Sequence, residues 1–268
     1  MPELPEVETV ARGLNGAIAG SVIEYAQLRR DNLRYPFPEG LVDMLCGATI
    51  ETIERRAKFL IFKFSSTILV GHLGMTGAYV VRQKTEPQKH DHMLWQLRDG
   101  REVVYHDPRR FGFLLCESDA QKMLDNLGIE PFNPAFTPDF LRTKMQKSTI
   151  AIKVFLLNQK IIVGVGNIYA SEVLFRCNIN PLMQTNQCVS KADMLVEMIQ
   201  KVLLEAIESG GSTLRNYANA SGESGYFQHN FNVYGKAGQD CGVCGDKINR
   251  IIQAGRSSFF CPTCQHIA

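Results

Sequence analysis

Residues 241–264 read CGVCGDKINRIIQAGRSSFFCPTC, and this stretch decides how the C-terminal part of the chain folds. It contains two Cys-x-x-Cys pairs separated by 16 residues, a spacing that lets four thiolates surround one ion. The β-like runs 247–253 and 257–260 flank a glycine turn, which predicts a hairpin between the two pairs. Redox-active dithiols are the alternative. Because the set leaves no open position, the pattern predicts one structural zinc ion held by Cys241, Cys244, Cys261 and Cys264.

The turn of this hairpin places Arg256 beside Gly255. An arginine at a tight glycine turn is usually a solvated surface residue, and that is the simpler interpretation. A zinc-stabilised hairpin, however, holds the guanidinium at a rigid tip, where it can bind a phosphate in bidentate fashion. The sequence therefore makes Arg256 a candidate phosphate-binding residue.

The N-terminal residues Met1-Pro2-Glu3-Leu4-Pro5-Glu6 offer a nucleophile. Removal of Met1 turns Pro2 into a free secondary amine, which can attack an electrophilic carbon and hold it as an iminium. Two carboxylates, Glu3 and Glu6, are close enough in sequence to exchange protons with that amine. The alternative is purely structural, because proline and glutamate also favour the first turn of a helix.

Length and composition indicate a globular protein with two domains. The 268 residues are 45% hydrophobic and 21% charged, and no apolar run approaches the roughly 20 residues needed to span a bilayer. The N-terminal residues also lack a signal-peptide pattern, so we expect a cytoplasmic protein without membrane association. Net charge is +2, divided into −2 for residues 1–130 and +4 for residues 131–268, so any nucleic-acid contact must be a local stripe.

Hydrophobic periodicity divides the chain into a β-rich and a helical part. Apolar residues spaced by three and four predict a helix over 5–18. Short β-branched and aromatic runs then predict a β-sandwich or barrel, with strands at 21–28, 49–55, 59–64, 67–71, 78–82, 93–98 and 102–106. A proline-rich segment at 131–138 predicts a linker. Beyond it we expect helices at 141–145, 149–158, 168–176 and 191–208, then a polar, glycine-rich lid at 210–225.

Three internal segments suggest contacts with a ligand. The glycine-rich turn of residues 163–172 leads into a helix that we expect Asn167 to cap, a natural phosphate seat, although such turns are also simple connections. In GHLGMTG at 71–77 and DPRRFG at 107–112, Met75 and Phe111 are either core residues or wedges that enter a base stack. The basic runs 55–58 and 89–92 are, taken alone, typical of solvated charges.

Together these motifs resemble the bacterial formamidopyrimidine-DNA glycosylase family. The resemblance extends from MPELPEVET at residues 1–9 to the cysteine module, through RRAKFLIF at 55–62, GHLGMTG, KHDH at 89–92, DPRRFG, GVGNIYASE at 164–172 and VYG at 233–235. It implies an α+β fold with an N-terminal β-sandwich flanked by helices and a helix-two-turn-helix domain that ends in a zinc-finger β-hairpin. The expected segments are 1–130 for the sandwich, 131–138 for the linker, 139–225 for the helical domain and 226–268 for the finger.

The resemblance also implies roles for individual residues. Pro2 would attack C1′ of the damaged nucleotide, Glu3 would handle protons at the sugar, and Glu6 would support that site. Lys58 would assist β-elimination, and Arg256 would assist δ-elimination.

Contacts to DNA follow from the same resemblance. Met75, Arg109 and Phe111 correspond to the residues that fill the gap left by a flipped base, with Arg109 reading the estranged base. A loop around Ala218–Tyr226 would close over the flipped base. The groups that would bind the DNA strand are His72, His90, Lys153, Asn167, Tyr234 and Arg256.

These roles imply a bifunctional DNA glycosylase and abasic-site lyase of base excision repair. It would remove oxidised purines, namely 8-oxoguanine and formamidopyrimidines, through a Pro2 iminium and then nick the strand by β,δ-elimination. The expected partner is double-stranded DNA containing oxidised purines or abasic sites, bound by a monomer in the bacterial cytoplasm at the nucleoid. Two alternatives are an endonuclease VIII-like enzyme, against which Leu4 and the gap-filling residues argue, and a non-enzymatic zinc-ribbon DNA-binding protein.

Overall fold

The computed structural model describes residues 1–211 and 230–266. The described chain forms two compact units. The first contains Met1–Asp125 and residues 209–211, and the second contains Asn126–Glu208 and residues 230–266. The expected domain boundaries remain predictions, because a compact unit need not end where a functional domain does.

The first unit begins with helix α1, Leu4–Ile18, as the apolar periodicity predicts. Its buried face includes Val7, Val10 and Leu14, each at most 1% exposed. At its start the backbone N–H of Glu3 donates to Oε2 of Glu6 (2.9 Å), so the two acids cap the helix. The structural alternative for this stretch, the first turn of a helix, is therefore correct, and the helix start also fixes the positions of Glu3 and Glu6.

Eight strands follow, and most form in short segments rich in aromatic and β-branched residues. In Phe59–Phe64, for example, Leu60, Phe62 and Phe64 face inward while their neighbours are half-buried. The strands are β1 (Ile23–Leu28), β2 (Ile50–Arg56), β3 (Phe59–Phe64), β4 (Ile68–His72), β5 (Ala78–Gln83), β6 (Asp91–Leu97), β7 (Arg101–His106) and β8 (Phe113–Cys116).

These strands form two antiparallel sheets, ordered β1-β6-β7-β5 and β2-β3-β4-β8. Their inner faces share one core, in which Phe62 of one sheet meets Trp95 of the other edge to face at 5.5 Å. The sequence therefore predicted the sandwich correctly. It missed the short helices α2 (Leu41–Leu45) and α3 (Glu117–Asp125) and strand β8, whose four apolar residues lack alternation.

The second unit is helical apart from one hairpin. It contains α4 (Pro138–Gln146), α5 (Ile152–Leu156), α6 (Asn167–Arg176), a 3-10 helix (Thr185–Lys191) and α7 (Ala192–Glu208). Strands β9 (Asn249–Gln253) and β10 (Arg256–Phe260) form the predicted hairpin. Within the described ranges, no helix combines the length and the apolar character needed to cross a membrane.

Candidate active site

The N-terminal residues form a buried cluster in the first unit. Pro2 is buried, and Glu3 and Glu6 are each 3% exposed. Gly211 packs against Glu6, since a Cβ at that position would lie 3.4 Å from its side chain. A titratable amine therefore lies beside two carboxylates that are shielded from solvent.

The terminal amine, which in this chain belongs to Met1, has a pKa below its ordinary value. Burial is the largest cause, Glu3 and Glu6 oppose it, and the positive charges of Lys58 and Arg109 add to it. Within the first unit the structure therefore places Glu3, Glu6 and Lys58, three of the predicted catalytic residues, close enough to the terminal amine to affect its pKa. A depressed pKa increases the fraction of unprotonated, nucleophilic amine at neutral pH.

Lys58 lies in the turn between β2 and β3 and is 7% exposed. The preceding residue, Ala57, adopts the left-handed conformation (φ 55°). Arg55 holds this turn, because its guanidinium donates to the Ala57 carbonyl (3.1 Å) and to Oε2 of Glu8 (2.7 Å). Burial alone would raise the pKa of Glu8, but hydrogen bonds from Arg55 and Arg12 hold that pKa below its ordinary value. The role of Glu8 in holding Arg55 was not predicted from the sequence, where a second glutamate two residues after Glu6 was the available signal.

His72, at the end of β4, lies close to the same site. Burial, together with the charges of Lys58, Arg34 and the terminal amine, lowers the pKa of His72 to about 4, so the ring is neutral at pH 7. Its Nδ1 accepts from the backbone N–H of Gly74 (2.9 Å), which leaves the proton on Nε2. A neutral imidazole can still donate this proton to a phosphate oxygen.

Met75 and Phe111 are exposed rather than buried, at 43% and 44%. The alternative interpretation of both residues as core is therefore wrong. The guanidinium of Arg109 lies over the Phe111 ring, with Cζ 4.7 Å from the ring centroid. Three large side chains on two adjacent loops are thus displayed outside the core of the first unit.

His90 is half-buried at the start of β6. Its ring centroid lies 5.8 Å from that of His106 and 6.3 Å from that of His92. His106 is fixed in turn by the buried carboxylate of Asp91, at 2.7 Å from Nδ1. His90 is thus one of a group of imidazoles rather than an isolated surface residue.

In the second unit, Lys153 is 1% exposed, so it does not present its charge to solvent as a direct phosphate contact would. Its ammonium donates to Oδ1 of Asn167 (2.8 Å), the Ser257 carbonyl (2.9 Å) and Oγ of Ser258 (2.8 Å). Asn167 also donates to the Ser257 carbonyl (2.9 Å). Lys153 and Asn167 therefore join helices α5 and α6 to strand β10.

The expectation that Asn167 caps helix α6 is wrong. Gly166 is the N-cap, without a side-chain bond, and Asn167 is the first helical residue. The physical reason is that both ends of the Asn167 amide are engaged by Lys153 and Ser257, so the side chain cannot turn back to the helix.

Tyr234 belongs to a turn whose backbone N–H groups are bound by one buried carboxylate. Glu172, fully buried on α6, accepts from the backbone N–H groups of Asn232 (2.8 Å), Val233 (3.0 Å) and Tyr234 (2.9 Å). The Tyr234 ring packs against Phe259 of the hairpin at 5.1 Å. Sequence analysis assigned Glu172 no role, although an acid within the apolar helix IYASEVLF was an available signal.

The four cysteines of the C-terminal module converge. All four Sγ atoms lie within 4.8 Å of one another, with 3.4 Å between Cys244 and Cys261 and 3.8 Å between Cys241 and Cys264. Four thiolates at about 2.3 Å from a tetrahedral zinc are separated by about 3.8 Å, so the residues fit the ion. Arg256 is exposed and directly follows the hairpin turn. Residues 212–225 of the predicted lid at 210–225, and the predicted loop Ala218–Tyr226, lie outside the described residues.

Comparisons with known proteins agree with this arrangement along the whole chain. Three family models match: "Formamidopyrimidine-DNA glycosylase N-terminal domain" at residues 1–114, "Formamidopyrimidine-DNA glycosylase H2TH domain" at 127–218 and "Zinc finger found in FPG and IleRS" at 238–267. The finger match and the four-cysteine cluster establish one structural zinc site.

Full-length relatives and solved structures give the same result. Formamidopyrimidine-DNA glycosylases from Azorhizobium caulinodans and Paraburkholderia phymatum are 41% and 42% identical, over 99% of this chain and all of theirs. Lactococcus lactis Fpg is 37% identical over 99% of this chain and all of its own, with a TM-score of 0.90, in complexes with DNA that contains an abasic site or an oxidised pyrimidine. The chain therefore belongs to the formamidopyrimidine-DNA glycosylase family and is an enzyme of that class.

Proposed function

We propose that this enzyme attacks C1′ of a damaged nucleotide with the amine of Pro2 and then cleaves the strand by β,δ-elimination. Membership of the family makes it a DNA glycosylase of base excision repair that acts on oxidised purines. The observation that carries the finer proposal is the position of the N-terminal residues: Pro2 is buried, and the amine of the preceding residue, Met1, has a pKa lowered below its ordinary value close to Glu3, Glu6 and Lys58.

The chemistry begins with removal of Met1, which frees the secondary amine of Pro2. The unprotonated nitrogen forms a bond to C1′ while the glycosidic bond breaks, and the base leaves with the bonding electrons and a proton. Opening of the sugar ring gives an iminium, with Glu3 handling the proton at the ring oxygen. Glu6 holds the Glu3 backbone in place through the bond at the helix start.

The iminium makes the strand labile on both sides of the lesion. It acidifies C2′, whose proton is lost as the 3′ phosphate departs, and a second elimination expels the 5′ phosphate. We propose that Lys58 assists the first step, and Arg256 the second, by neutralising the leaving phosphates. Hydrolysis then releases the sugar remnant and regenerates the amine.

Extrusion of the damaged nucleotide leaves a gap in the duplex that must be filled. We assign this task to Met75, Arg109 and Phe111, which are displayed on adjacent loops of the first unit, two of them as exposed apolar side chains. Arg109 would read the base opposite the lesion with its guanidinium donors.

The proposed strand contacts fall into direct and indirect ones. We propose that His72, His90 and Tyr234 contact phosphates directly, and that Arg256 binds one from the hairpin tip. Lys153 is buried, so we propose that it acts by orienting Asn167 and strand β10. The partner is double-stranded DNA with oxidised purines or abasic sites, and we propose that one monomer suffices.

Substrate preference separates this proposal from the endonuclease VIII-like alternative. The full-length relatives are named as formamidopyrimidine-DNA glycosylases, and one solved relative binds DNA with an oxidised pyrimidine. We propose that oxidised purines are the preferred substrates and oxidised pyrimidines minor ones. Single-turnover excision from matched duplexes, one with 8-oxoguanine and one with an oxidised thymine, measures this preference, and faster excision of the pyrimidine would reverse it.

Borohydride trapping tests the nucleophile. Native protein with 8-oxoguanine opposite cytosine should give a covalent adduct that maps to Pro2, and mass spectrometry should show that Met1 is absent. Pro2→Gly should reduce or redirect the adduct, whereas Pro134→Gly, at an exposed proline of the second unit, should not. A native protein that lacks Met1 and yields no adduct would refute the amine mechanism.

A further inference from the structure

The three gap-filling side chains belong to two separate loops of the first unit. Met75 lies in the loop between β4 and β5, and Arg109 and Phe111 lie in the loop between β7 and β8. Side chains that are exposed in this way receive little support from a core. Their placement therefore depends on how firmly the two loop backbones are held.

One buried carboxylate binds both loops. Asp107 is 0% exposed, and its Oδ1 accepts from Oγ1 of Thr76 (2.6 Å) and from the backbone N–H of Arg109 (3.2 Å). Its Oδ2 accepts from the backbone N–H of Gly112 (2.9 Å). The same side chain thus fixes the residue after Met75 and the backbone on both sides of Phe111.

The loop backbones also touch directly. Gly74 has φ +64°, and a Cβ there would lie 2.4 Å from the nitrogen of Gly112 and 2.4 Å from the carbonyl carbon of Phe111. The hydroxyl of Tyr105 fills a hollow beside Gly77 and Gly112, where a Cβ would lie 2.3 Å and 1.7 Å from its oxygen. The two loops therefore form one closely packed unit with Asp107 at its centre.

We infer that Asp107 is a positioning residue for gap filling: it fixes the loops of Met75, Arg109 and Phe111 as one rigid body. This inference rests on the proposed function. A carboxylate suits the place because every group that faces it is a donor, and it can accept from all of them at once. Asn has the same size, but its NH₂ group would face a backbone N–H in either orientation, so the hydrogen bond from Arg109 or the one from Gly112 would be lost.

The experiment compares a substrate that needs gap filling with one that does not. Duplex DNA with 8-oxoguanine opposite cytosine requires the wedge, whereas a single-stranded oligonucleotide with a preformed abasic site has no opposite strand. For Asp107→Asn we expect single-turnover excision from the duplex to fall at least tenfold and the preference for cytosine over adenine opposite the lesion to shrink. Cleavage of the single-stranded abasic site should stay within twofold of the native rate.

Thr76 supplies a milder test that does not depend on the folding of Asp107→Asn. Thr76→Val should slow duplex excision about threefold or more, and Thr76→Ser, which keeps the hydroxyl, should restore it. Thr52→Val is the matched control, because Thr52 likewise donates to a carboxylate, that of Glu54, but on strand β2. Equal losses on both substrates for Thr76→Val, or no loss on the duplex, would overturn the inference. Failure of the native protein to form an adduct would instead refute the proposed function.

Discussion

At the residue scale, the amine of Met1 shows how neighbouring groups shift the pKa of an N-terminal amine. Its pKa lies below the ordinary value of about 8 because burial and the charges of Lys58 and Arg109 disfavour the protonated form. Glu3 and Glu6 oppose this effect, so the amine is tuned by competing groups rather than by burial alone. Removal of Met1 leaves the Pro2 amine next in the chain to Glu3, so we expect the same neighbours to set the pH at which the proposed Pro2 nucleophile reacts.

The pH profile of adduct formation tests this tuning. Lys58→Met removes a positive charge that disfavours the protonated amine, so the pKa of the amine rises and less free amine is present at a given pH. We expect the midpoint of the borohydride-trapping profile to move to higher pH. Lys63, on β3, is paired with Glu54 of β2, and Lys63→Met should leave the midpoint unchanged. A midpoint that moves to lower pH in Lys58→Met would contradict the electrostatic explanation.

Individual site residues differ in how far the sequence could predict them. The zinc site could be predicted from the sequence because its four cysteines follow a fixed local spacing. The burial of Lys153 was not, because its partners Ser257 and Ser258 are more than 100 residues away in the chain. The role of Glu172 could not be predicted for the same reason, since it contacts Asn232 and Tyr234 only after folding. A buried charge is defined by tertiary partners, which no local pattern reports.

At the element scale, the hairpin turn contains a residue that its conformation disfavours. Ala254 and Gly255 both have positive φ, at 46° and 72°, as a type I′ turn requires. Alanine is strained there by roughly 1–2 kcal/mol, whereas asparagine tolerates the left-handed region better. The turn that precedes Arg256 is therefore less stable than this hairpin geometry permits.

Substitution of this turn should change how readily the finger opens. Ala254→Asn should stabilise the hairpin by about 1 kcal/mol, which slows zinc release to a chelator about fivefold if opening limits release. Gly255→Ala should accelerate release, because it forces a Cβ into the same disfavoured region. Both variants retain the four cysteines, so the comparison isolates the turn. Equal release rates for the two variants would show that the turn does not limit opening.

The zinc site itself should be required for DNA binding through the hairpin. Cys244→Ser removes one of four ligands, so we expect zinc content to fall and affinity for lesion-containing DNA to weaken at least tenfold, or about 1.4 kcal/mol. Cys46→Ser is the matched control, since Cys46 is an exposed thiol of the first unit. Metal analysis and fluorescence anisotropy measure the two effects, and unchanged affinity in a zinc-depleted Cys244→Ser would contradict the prediction.

At the scale of the whole molecule, the small net charge does not indicate that the partner is DNA. The net charge of +2 gives no general attraction to DNA, so binding must come from a few localised phosphate contacts. Contacts between residues far apart in the chain also limit what can be predicted from the sequence. Strand positions followed from short runs of β-branched and aromatic residues, but the pairing of β1 with β6 joins Ala26 to Trp95, a long-range contact that local pattern cannot specify.

Salt dependence measures the number of these phosphate contacts. The logarithm of the affinity should fall linearly with the logarithm of salt concentration, with a slope of about −2 or steeper. Arg256→Gln should reduce the slope by about 1, and Arg98→Gln, at an exposed arginine of the first unit, should not. A flat response in the native protein would contradict the proposed contacts.

The close packing around Tyr105 has a consequence for how this enzyme can diversify. A side chain at Gly77 or Gly112 would collide with the Tyr105 hydroxyl and also with the carbonyl oxygens of Leu73 and His72, which no substitution can remove. Compensating mutations therefore cannot make room for a side chain, and positions 77 and 112 are restricted to glycine. Under the proposed gap-filling role, new preferences for the base opposite the lesion would arise by exchange of the exposed side chains at positions 75, 109 and 111, while the backbone at these two glycines stays the same.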